Sequence, residues 1–219
     1  MEKDVLKPEE YIYYLIKDKI AKRELFPKCQ IVEAQLVDET GISRTPIRHA
    51  LKKLNYEGIV DLIPNRGAFV ANATLEEVIS VYECKKTLEA AAIEKACINM
   101  TDQDLIILEE LINNTIEVHR KKELYNFISF NEKFHMTIAR ASKNKYYEKF
   151  ISELIEKSNV YLIFYDPFMP IVTDESEAIK AHYNILDALK SKNVNTCIEA
   201  IIIHNQITLD RLNLNGIVW

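Results

Sequence analysis

The sequence contains little glycine and cysteine and lacks long apolar segments. Its 219 residues include four Gly and four Cys. It has no run of about 18 apolar residues that could span a bilayer. No positively charged start leads into an apolar stretch of the kind found in signal peptides. We therefore expect a cytoplasmic protein that is not inserted in a membrane.

The cysteines are widely separated along the chain. They are Cys29, Cys84, Cys97 and Cys197. They have neither the paired spacing of a metal site nor the density of a small disulfide-stabilised domain. We expect four reduced and mostly packed thiols, with a regulatory disulfide as the lesser alternative.

Charge is distributed unevenly along a chain whose formal net charge is −5. Residues 1–75 contain 12 Lys or Arg and 11 Asp or Glu, whereas residues 76–219 contain 16 and 22. Within residues 41–70 the balance is five basic to two acidic. This pattern predicts a positive electrostatic potential confined to residues 41–70, whereas the rest of the chain is acidic.

That basic segment has the periodicity of an amphipathic helix. Its apolar residues recur at the spacing i, i+3, i+4 and i+7, and they are Ile47, Ala50, Leu51 and Leu54. A second face carries Arg44, Arg48 and Lys52. The helix can begin with Ser43 as its N-cap, or with Thr45 as N-cap and Pro46 in the first position.

Glycine occurs where this helix and its neighbours must turn. Gly41 separates the helix from a shorter one over 33–40, Gly58 ends it, and Gly67 lies between two β-prone runs. Those runs, 59–63 and 68–70, indicate a hairpin. Two helices joined by a short turn, followed by a hairpin, predict a winged helix-turn-helix whose second helix enters the major groove of DNA.

The segment from about Tyr11 to Val70 resembles the DNA-binding domain of the GntR family of bacterial transcription regulators. The most specific matches are 31–33, 41–51, 57–60 and 65–67. The whole chain resembles the FadR-like subfamily. This resemblance implies a homodimer that binds a palindromic double-stranded DNA operator.

The resemblance also implies the DNA contacts. Ser43, Arg44, Thr45 and Arg48 should touch phosphates and bases, and Arg66 and Gly67 should place the wing tip at the minor groove. Arginine can pair bidentately with a guanine edge, and a hydroxyl can hold a phosphate. The alternative interpretation is that these basic residues form the solvated face of an ordinary surface helix. The turn glycines and the wing argue against that interpretation.

Beyond the polar link at 71–74 the sequence is almost entirely helical in pattern. Six helices are expected, at about 76–98, 102–119, 121–142, 145–165, 175–191 and 194–213. The fold class is therefore mainly α, with an N-terminal winged helix-turn-helix at 1–72 followed by an all-helical bundle at 73–219. The bundle resembles the FCD domain of the FadR-like subfamily, which binds effectors and forms the dimer.

Histidines in three of these helices suggest a site inside the bundle. Asn131 and His135 are four residues apart on one helix, and His182 and His204 lie on two others. Each alone is most simply a core histidine. Together they match the ligand pattern of the FCD metal site, in which the position of Asn131 is commonly Asp. His119 and His49 do not fit the pattern and are expected to be exposed or close to DNA.

Three imidazoles and an oxygen ligand suit Zn²⁺, Ni²⁺ or another late first-row divalent ion, with open positions for water or a carboxylate. The resemblance implies a small carboxylate effector. Lys85 occupies a position that is often Arg in the subfamily, with a solvent-facing charge as the alternative. Tyr82 and Tyr161 are further candidates for the effector pocket, although both could be core residues.

Two other function classes use the same residues. Three histidines and an open position also describe a catalytic zinc site, so a metal-dependent hydrolase is one alternative. Glu132, however, lies about 100° around the helix from Asn131 and is a poor general base. The other alternative is a ligand-independent architectural DNA binder. We expect a regulator and not an enzyme.

Overall fold

A computed structural model describes residues 6–165 and 177–212 of the chain. The chain forms two compact units, Met1–Ala73 and Thr74–Trp219. Among the described residues, no helix combines the length and apolarity needed to cross a membrane. Three sequence features fall outside the described residues: the helix break at Asp166 and Pro167, the first residues of the helix expected from 175, and Gly216.

The N-terminal unit consists of three helices and a small antiparallel sheet. The elements are α1 (Pro8–Ala21), β1 (Gln30–Ile31), α2 (Glu33–Thr40), α3 (Arg44–Tyr56), β2 (Val60–Ile63) and β3 (Gly67–Val70). The strand order is β1-β3-β2. The predicted winged helix-turn-helix is confirmed, and β1 is an addition to it.

Apolar stripes on α1 and α3 form the core of this unit. On α1 the fully buried residues are spaced four apart, at Ile12, Ile16 and Ile20. The predicted apolar face of α3 is confirmed, because Ile47, Ala50, Leu51 and Leu54 are all buried. Each fully buried Ile or Leu contributes about 1.5–3 kcal/mol to folding. This core fixes how the outer face of α3 is presented.

The turn between α2 and α3 depends on Gly41. Its φ of +70° lies in the left-handed region, which a residue without Cβ adopts at no steric cost. The chain then enters α3 with Ser43 in the N-cap position, where its side chain makes no capping hydrogen bond. The alternative start, with Thr45 as cap and Pro46 in the first helical position, is wrong because α3 begins at Arg44.

The wing is the hairpin of β2 and β3, with Ile63 paired to Gly67 at its tip. In the turn, Asn65 adopts a φ of +60°. β1 adds to the other edge of β3, and the Gln30 side-chain amide donates a 3.0 Å hydrogen bond to the carbonyl of Arg66. Two residues are too few to show an alternating pattern, so sequence reasoning missed this strand.

The C-terminal unit is helical throughout the part of it that the structure describes. Its helices are α4 (Leu75–Asn99), α5 (Asp102–Arg120), α6 (Leu124–Ala141), α7 (Lys145–Tyr165), α8 (Glu177–Ser191) and α9 (Val194–Arg211). Their side-chain caps include Thr74, which accepts from the Glu77 amide, Thr101, which accepts from the Asp104 amide, and Asn193, which accepts from the Thr196 amide. The six-helix bundle is confirmed.

Helices distant in sequence pack together in this bundle. α4 packs against α9, α7 and α6, while α5 packs against α6 and α8. One apolar cluster joins residues from all of α4, α5, α6, α8 and α9, including Ile93, Leu108, Phe134, Ile185 and Ile201. A core formed in this way brings side chains from α4, α6, α8 and α9 to one interior point, where the candidate site lies.

Candidate nucleic-acid interface and candidate metal centre

The start of α3 presents polar side chains to solvent. Ser43, Arg44, Thr45 and Arg48 are all exposed. The Ser43 hydroxyl is not used for capping, so it can hydrogen bond to an external phosphate. Hydroxyls and guanidinium groups at the N-terminal end of a helix form the usual contact set for the major groove.

Arg48 has an internal partner. Its Nε lies 3.0 Å from both carboxylate oxygens of Glu33, at the start of α2. The arginine side chain is still 59% exposed. A carboxylate at Nε restricts the side chain while a guanidinium has further N–H donors to offer. The pair therefore links the two helices and orients Arg48 before any DNA is bound.

The wing tip is also exposed. Arg66 is the last residue of the turn and Gly67 is the first residue of β3, and both are exposed. The Arg66 guanidinium lies 5.5 Å from the centre of the Phe69 ring, within the range of a cation–π contact. Both predicted wing residues are therefore accessible to a large partner.

The three predicted histidines converge inside the C-terminal unit. His135 comes from α6, His182 from α8 and His204 from α9, and each is at most 3% exposed. One ring nitrogen from each lies within 4.8 Å of the others. The Nε2 atoms of His135 and His204 are 3.1 Å apart. Nitrogen ligands about 2.0–2.1 Å from a Zn²⁺ ion lie roughly 3–4 Å from one another, so the His135–His204 pair already has the spacing of two zinc ligands.

Unsatisfied ring atoms support the same interpretation. The Nε2 atom of His182 and the Nδ1 atom of His204 are buried and have no hydrogen-bond partner among the described residues. Burial lowers the pKa of all three rings below the usual value for histidine. The rings are therefore neutral at pH 7, which is the form that coordinates metals. The site fits a divalent ion.

Asn131 lies one helical turn before His135 and lines the same cavity. Tyr82, Lys85, His135 and His204 also line it, whereas His182 does not. The cavity has a volume of about 20 Å³, close to the minimum for holding a single water molecule. An organic ligand would need the surrounding helices to move.

Lys85 is buried and paired. Its Nζ lies 3.0 Å from Glu89 Oε2 and 3.0 Å from Asn205 Oδ1. The solvent-facing alternative for Lys85 is wrong, because the residue is 4% exposed. Of the two tyrosine candidates, Tyr82 lines the cavity, whereas the Tyr161 hydroxyl donates to Glu77.

Sequence reasoning missed Glu89, which is at the centre of this buried network. Its Oε1 atom lies 2.9 Å from His135 Nδ1. Burial alone would raise the pKa of Glu89, but the contact with His135, the ammonium group of Lys85 and the hydrogen bond from Asn205 outweigh this effect and hold the pKa well below the usual range. The i, i+4 spacing of Lys85 and Glu89 was visible, but their inward direction was not.

Arg211, in the last turn of α9, also lines the cavity and was missed by sequence reasoning.

His119 was expected to be exposed or close to DNA, and this expectation is wrong. His119 is 3% exposed, and the centre of its ring lies 5.7 Å from that of Phe127. His49 is exposed, as expected.

The four cysteines are free thiols. Cys97 and Cys197 are buried, Cys29 is half-buried and Cys84 is exposed. Burial, together with a hydrogen bond to Cys97, raises the pKa of Cys197 to about 12. This thiol is therefore protonated and unreactive at neutral pH.

Each half of the chain matches a known protein family. Residues 8–70 match the family described as bacterial regulatory proteins, gntR family, and residues 80–206 match the FCD domain. The HTH-type transcriptional regulator YdhC of Bacillus subtilis, itself described as uncharacterized, is 27% identical over 90% of this chain and 89% of its own. The HTH-type transcriptional regulator McbR of Escherichia coli is 25% identical over 83% and 82%. These relatives are named as regulators and not as enzymes.

Solved structures show the same fold. E. coli McbR/YncC superposes with a TM-score of 0.63 at 22% identity, covering 94% of this chain and 98% of its own. A GntR transcriptional regulator from Rhodococcus sp. RHA1, described as putative, gives a TM-score of 0.67 at 18% identity, covering 95% and 98%. The chain belongs to the GntR family of helix-turn-helix transcription regulators, in the FadR-like branch that carries a C-terminal FCD domain.

Proposed function

We propose that residues 1–72 read a palindromic double-stranded DNA operator and that residues 73–219 form an effector-binding and dimerisation domain. In this proposal Ser43, Arg44, Thr45 and Arg48 contact the major groove. Arg66 and Gly67 contact the minor groove. The exposure of all six residues supports it. A two-fold homodimer follows because two half-sites about one helical turn apart are best matched by two symmetric copies.

We further propose that His135, His182 and His204 hold a divalent transition metal, Zn²⁺ or Ni²⁺, with Asn131 as an oxygen ligand. The observation that carries this proposal is the convergence of three buried ring nitrogens within 4.8 Å. The residues supply no anionic ligand, because the imidazoles are neutral and Asn131 offers only an amide carbonyl. When bound, the metal supplies an electrophilic centre that attracts the oxygen of an acid.

The proposed effector is a small carboxylate. Lys85, Arg211 and Tyr82 line the cavity beside two of the histidines, which gives an anionic ligand both cations and a hydroxyl. Tyr161 belongs to the same proposal only indirectly, through its hydrogen bond to Glu77. Since Lys85 is paired with Glu89, an effector must compete with Glu89 for the charge of Lys85.

Regulation is proposed to follow from the small size of the cavity. A carboxylate larger than water can enter only if the helices around the site shift. Such a ligand favours the shifted arrangement, and it alters DNA affinity only if the two arrangements bind DNA differently. The wall of the cavity includes residues of α4, α6 and α9, so a shift there repacks most of the bundle.

Metal binding tests the site. Chelator-treated protein is titrated with Zn²⁺ or Ni²⁺ while heat capacity and thermal unfolding are followed, and His204→Gln is compared with wild type. His119→Gln is the matched control, because His119 is equally buried but is not part of the triad. We expect metal to raise the Tm of wild type and of the control, but not of His204→Gln. If the Tm of wild type is the same with and without metal, the three histidines are core residues and do not form a metal site.

DNA binding and effector response are tested together. A randomised duplex library is first selected on the purified protein, and a two-fold symmetric sequence is expected. Affinity for that sequence is then measured with acetate, lactate and citrate, with and without metal. A carboxylate that changes affinity in wild type but not in His204→Gln supports the proposal. Operator affinity that no acid alters would identify a ligand-independent DNA binder.

A further inference from the structure

The only carboxylate in contact with the histidine cluster, among the described residues, comes from Glu89 on α4. The side chain is 3% exposed. Its two oxygens face different neighbours. Oε2 accepts from Lys85 Nζ at 3.0 Å and from Asn205 Nδ2 at 2.7 Å, whereas Oε1 lies 2.9 Å from His135 Nδ1. Glu89 therefore connects α4 to both α9 and α6.

The contact between Glu89 Oε1 and His135 Nδ1 has hydrogen-bonding distance but not ideal alignment. Neither atom has a hydrogen-bond partner elsewhere in the described parts of the chain. A buried carboxylate accepts hydrogen bonds and cannot donate one. The arrangement that avoids two unsatisfied buried polar groups places the imidazole proton on Nδ1, directed at Glu89.

We propose that Glu89 is a positioning residue for the metal centre: it holds the His135 proton on Nδ1 and so keeps the Nε2 lone pair directed at His204. The inference rests on the metal site proposed above. A carboxylate behind a ligating histidine fixes the tautomer and ring orientation and makes the ligand more basic. In the metal-free protein, His135 Nε2 then accepts the 3.1 Å contact from His204 Nε2.

Glu89 also brings negative charge close to a ligand set that has none. Asn131 occupies the oxygen position, so the first set of ligands is neutral. Glu89 stays outside that set, because the clustered ligand atoms are those of the three histidines alone. Lys85 partly offsets its charge. The Glu89 carboxylate thus lies behind His135 and outside the ligand set. There it makes His135 a more basic ligand and leaves coordination positions on the metal open.

The variant Glu89→Gln tests this arrangement without a large change in volume. The Oε2 position faces two donors, Lys85 Nζ and the Asn205 amide. The glutamine oxygen must occupy that position, so the glutamine NH₂ group takes the place of Oε1. An NH₂ group facing His135 Nδ1 needs an acceptor there. The His135 proton is therefore expected to move to Nε2, where it blocks coordination.

The experiment combines metal affinity with a spectroscopic measurement of tautomers. Zn²⁺ binding to the full-length protein is measured by competition with a chelating dye, and ¹⁵N NMR of labelled histidine reports which ring nitrogen carries the proton in metal-free protein. We expect Glu89→Gln to weaken Zn²⁺ binding about 10- to 100-fold. We also expect His135 to change from Nδ1–H in wild type to Nε2–H in the variant.

Glu132→Gln is the matched control. Glu132 lies on the same helix as His135, is partly buried and accepts a hydrogen bond from Asn159, and it is not part of the histidine cluster. Its replacement should change neither Zn²⁺ affinity nor the His135 tautomer. The outcomes separate the two proposals. If wild type binds no Zn²⁺, the metal site is wrong; if wild type binds but shows Nε2–H at His135, or if Glu89→Gln binds equally well, the role of Glu89 is wrong.

The wild-type tautomer measurement also covers the case in which Glu89→Gln does not fold. It needs neither a substitution nor a metal. A proton on Nδ1 supports the proposal, and a proton on Nε2 overturns it.

Discussion

The two units of this protein place their polar side chains in opposite environments. In the N-terminal unit, Arg44, Arg48 and Arg66 are exposed on a scaffold held together by a separate apolar core. In the C-terminal unit, Lys85, Glu89 and the three histidines are buried. Exposed cations suit a large polyanion that supplies its own charge. Buried groups must satisfy one another until a small ligand arrives.

This difference explains why the two sites differ in their internal contacts. Arg48 has one exposed partner, Glu33, and needs no other. Glu89 has three buried neighbours, Lys85 on its own helix and His135 and Asn205 on two others, because an unpaired buried charge would be strongly destabilising. The N-terminal site can therefore be altered one residue at a time, whereas the C-terminal site responds as a network.

The largest effect is expected from the core beneath the histidines. Phe134 is 1% exposed and its ring lies 4.4 Å from that of His182. Phe134→Ala should destabilise the C-terminal unit by about 3–5 kcal/mol and abolish the metal-induced rise in Tm. Hydrogen exchange should report faster opening of the helices that share its apolar cluster, α4, α5, α6, α8 and α9, with α1 and α3 unchanged.

The reciprocal control is Leu54→Ala, in the fully buried face of α3. It should speed exchange in α1 and α3 and weaken DNA binding while Zn²⁺ still binds. Loss of protection in both units from either substitution would show that their cores are not separate.

A smaller but more selective effect is expected from Arg48→Ala. It removes a proposed base contact from each half-site, so operator affinity at fixed salt should fall about ten- to hundredfold per half-site. The Tm should stay the same, since the side chain is largely exposed. Lys22→Ala, at the end of α1 and also exposed, should cost much less affinity. A similar loss for both variants would indicate binding through general positive charge alone.

Asn131→Asp tests the neutral ligand set. The substitution adds a negative charge at a residue that lines the cavity, and metal affinity rises with ligand charge. We expect Zn²⁺ to bind on the order of tenfold more tightly, as measured by dye competition. Operator affinity in the absence of metal should not change. An unaltered Zn²⁺ affinity would exclude Asn131 from the ligand set.

The smallest effect is expected at the cap of α5, which belongs to neither site. Hydrogen bonds from the Thr101 amide and hydroxyl lower the pKa of Asp104 below its ordinary value of 3.8. A lowered pKa stabilises the fold above pH 3.8, and this contribution is lost as the pH falls through the folded-state pKa. Asp104→Asn should lower Tm at pH 7 by no more than about 4 °C. The difference from wild type should shrink below pH 3.8, and a difference independent of pH would contradict the assignment.

Much of the N-terminal unit was predictable because its information is local. The apolar spacing of α3, the turn at Gly41 and the hairpin after Gly58 all lie within about 30 consecutive residues. Two details were not predictable. The strand β1 is two residues long and exists only because β3 offers it an edge. The Glu33–Arg48 pair depends on the angle between α2 and α3, which the spacing does not specify.

The C-terminal unit was predictable in outline but not in its interior. The six helices followed from periodicity, and the histidine triad followed from family resemblance. The burial of Lys85 and His119 was not predictable, because a charged or polar residue on a helix is usually solvated. Glu89 and Asn205, which share a 2.7 Å hydrogen bond, are 116 residues apart in the chain.

By itself, the sequence determined the helices, the winged helix-turn-helix and the candidate residues for both sites, because periodicity, turn residues and motif spacing act over short distances. Only the tertiary structure decided which of the polar residues in α4 and α9 face inward, and that a carboxylate lies behind His135. The physical reason is that burial and pairing are properties of packed helices. A side chain acquires its environment, and with it its pKa and its tautomer, only when distant segments meet.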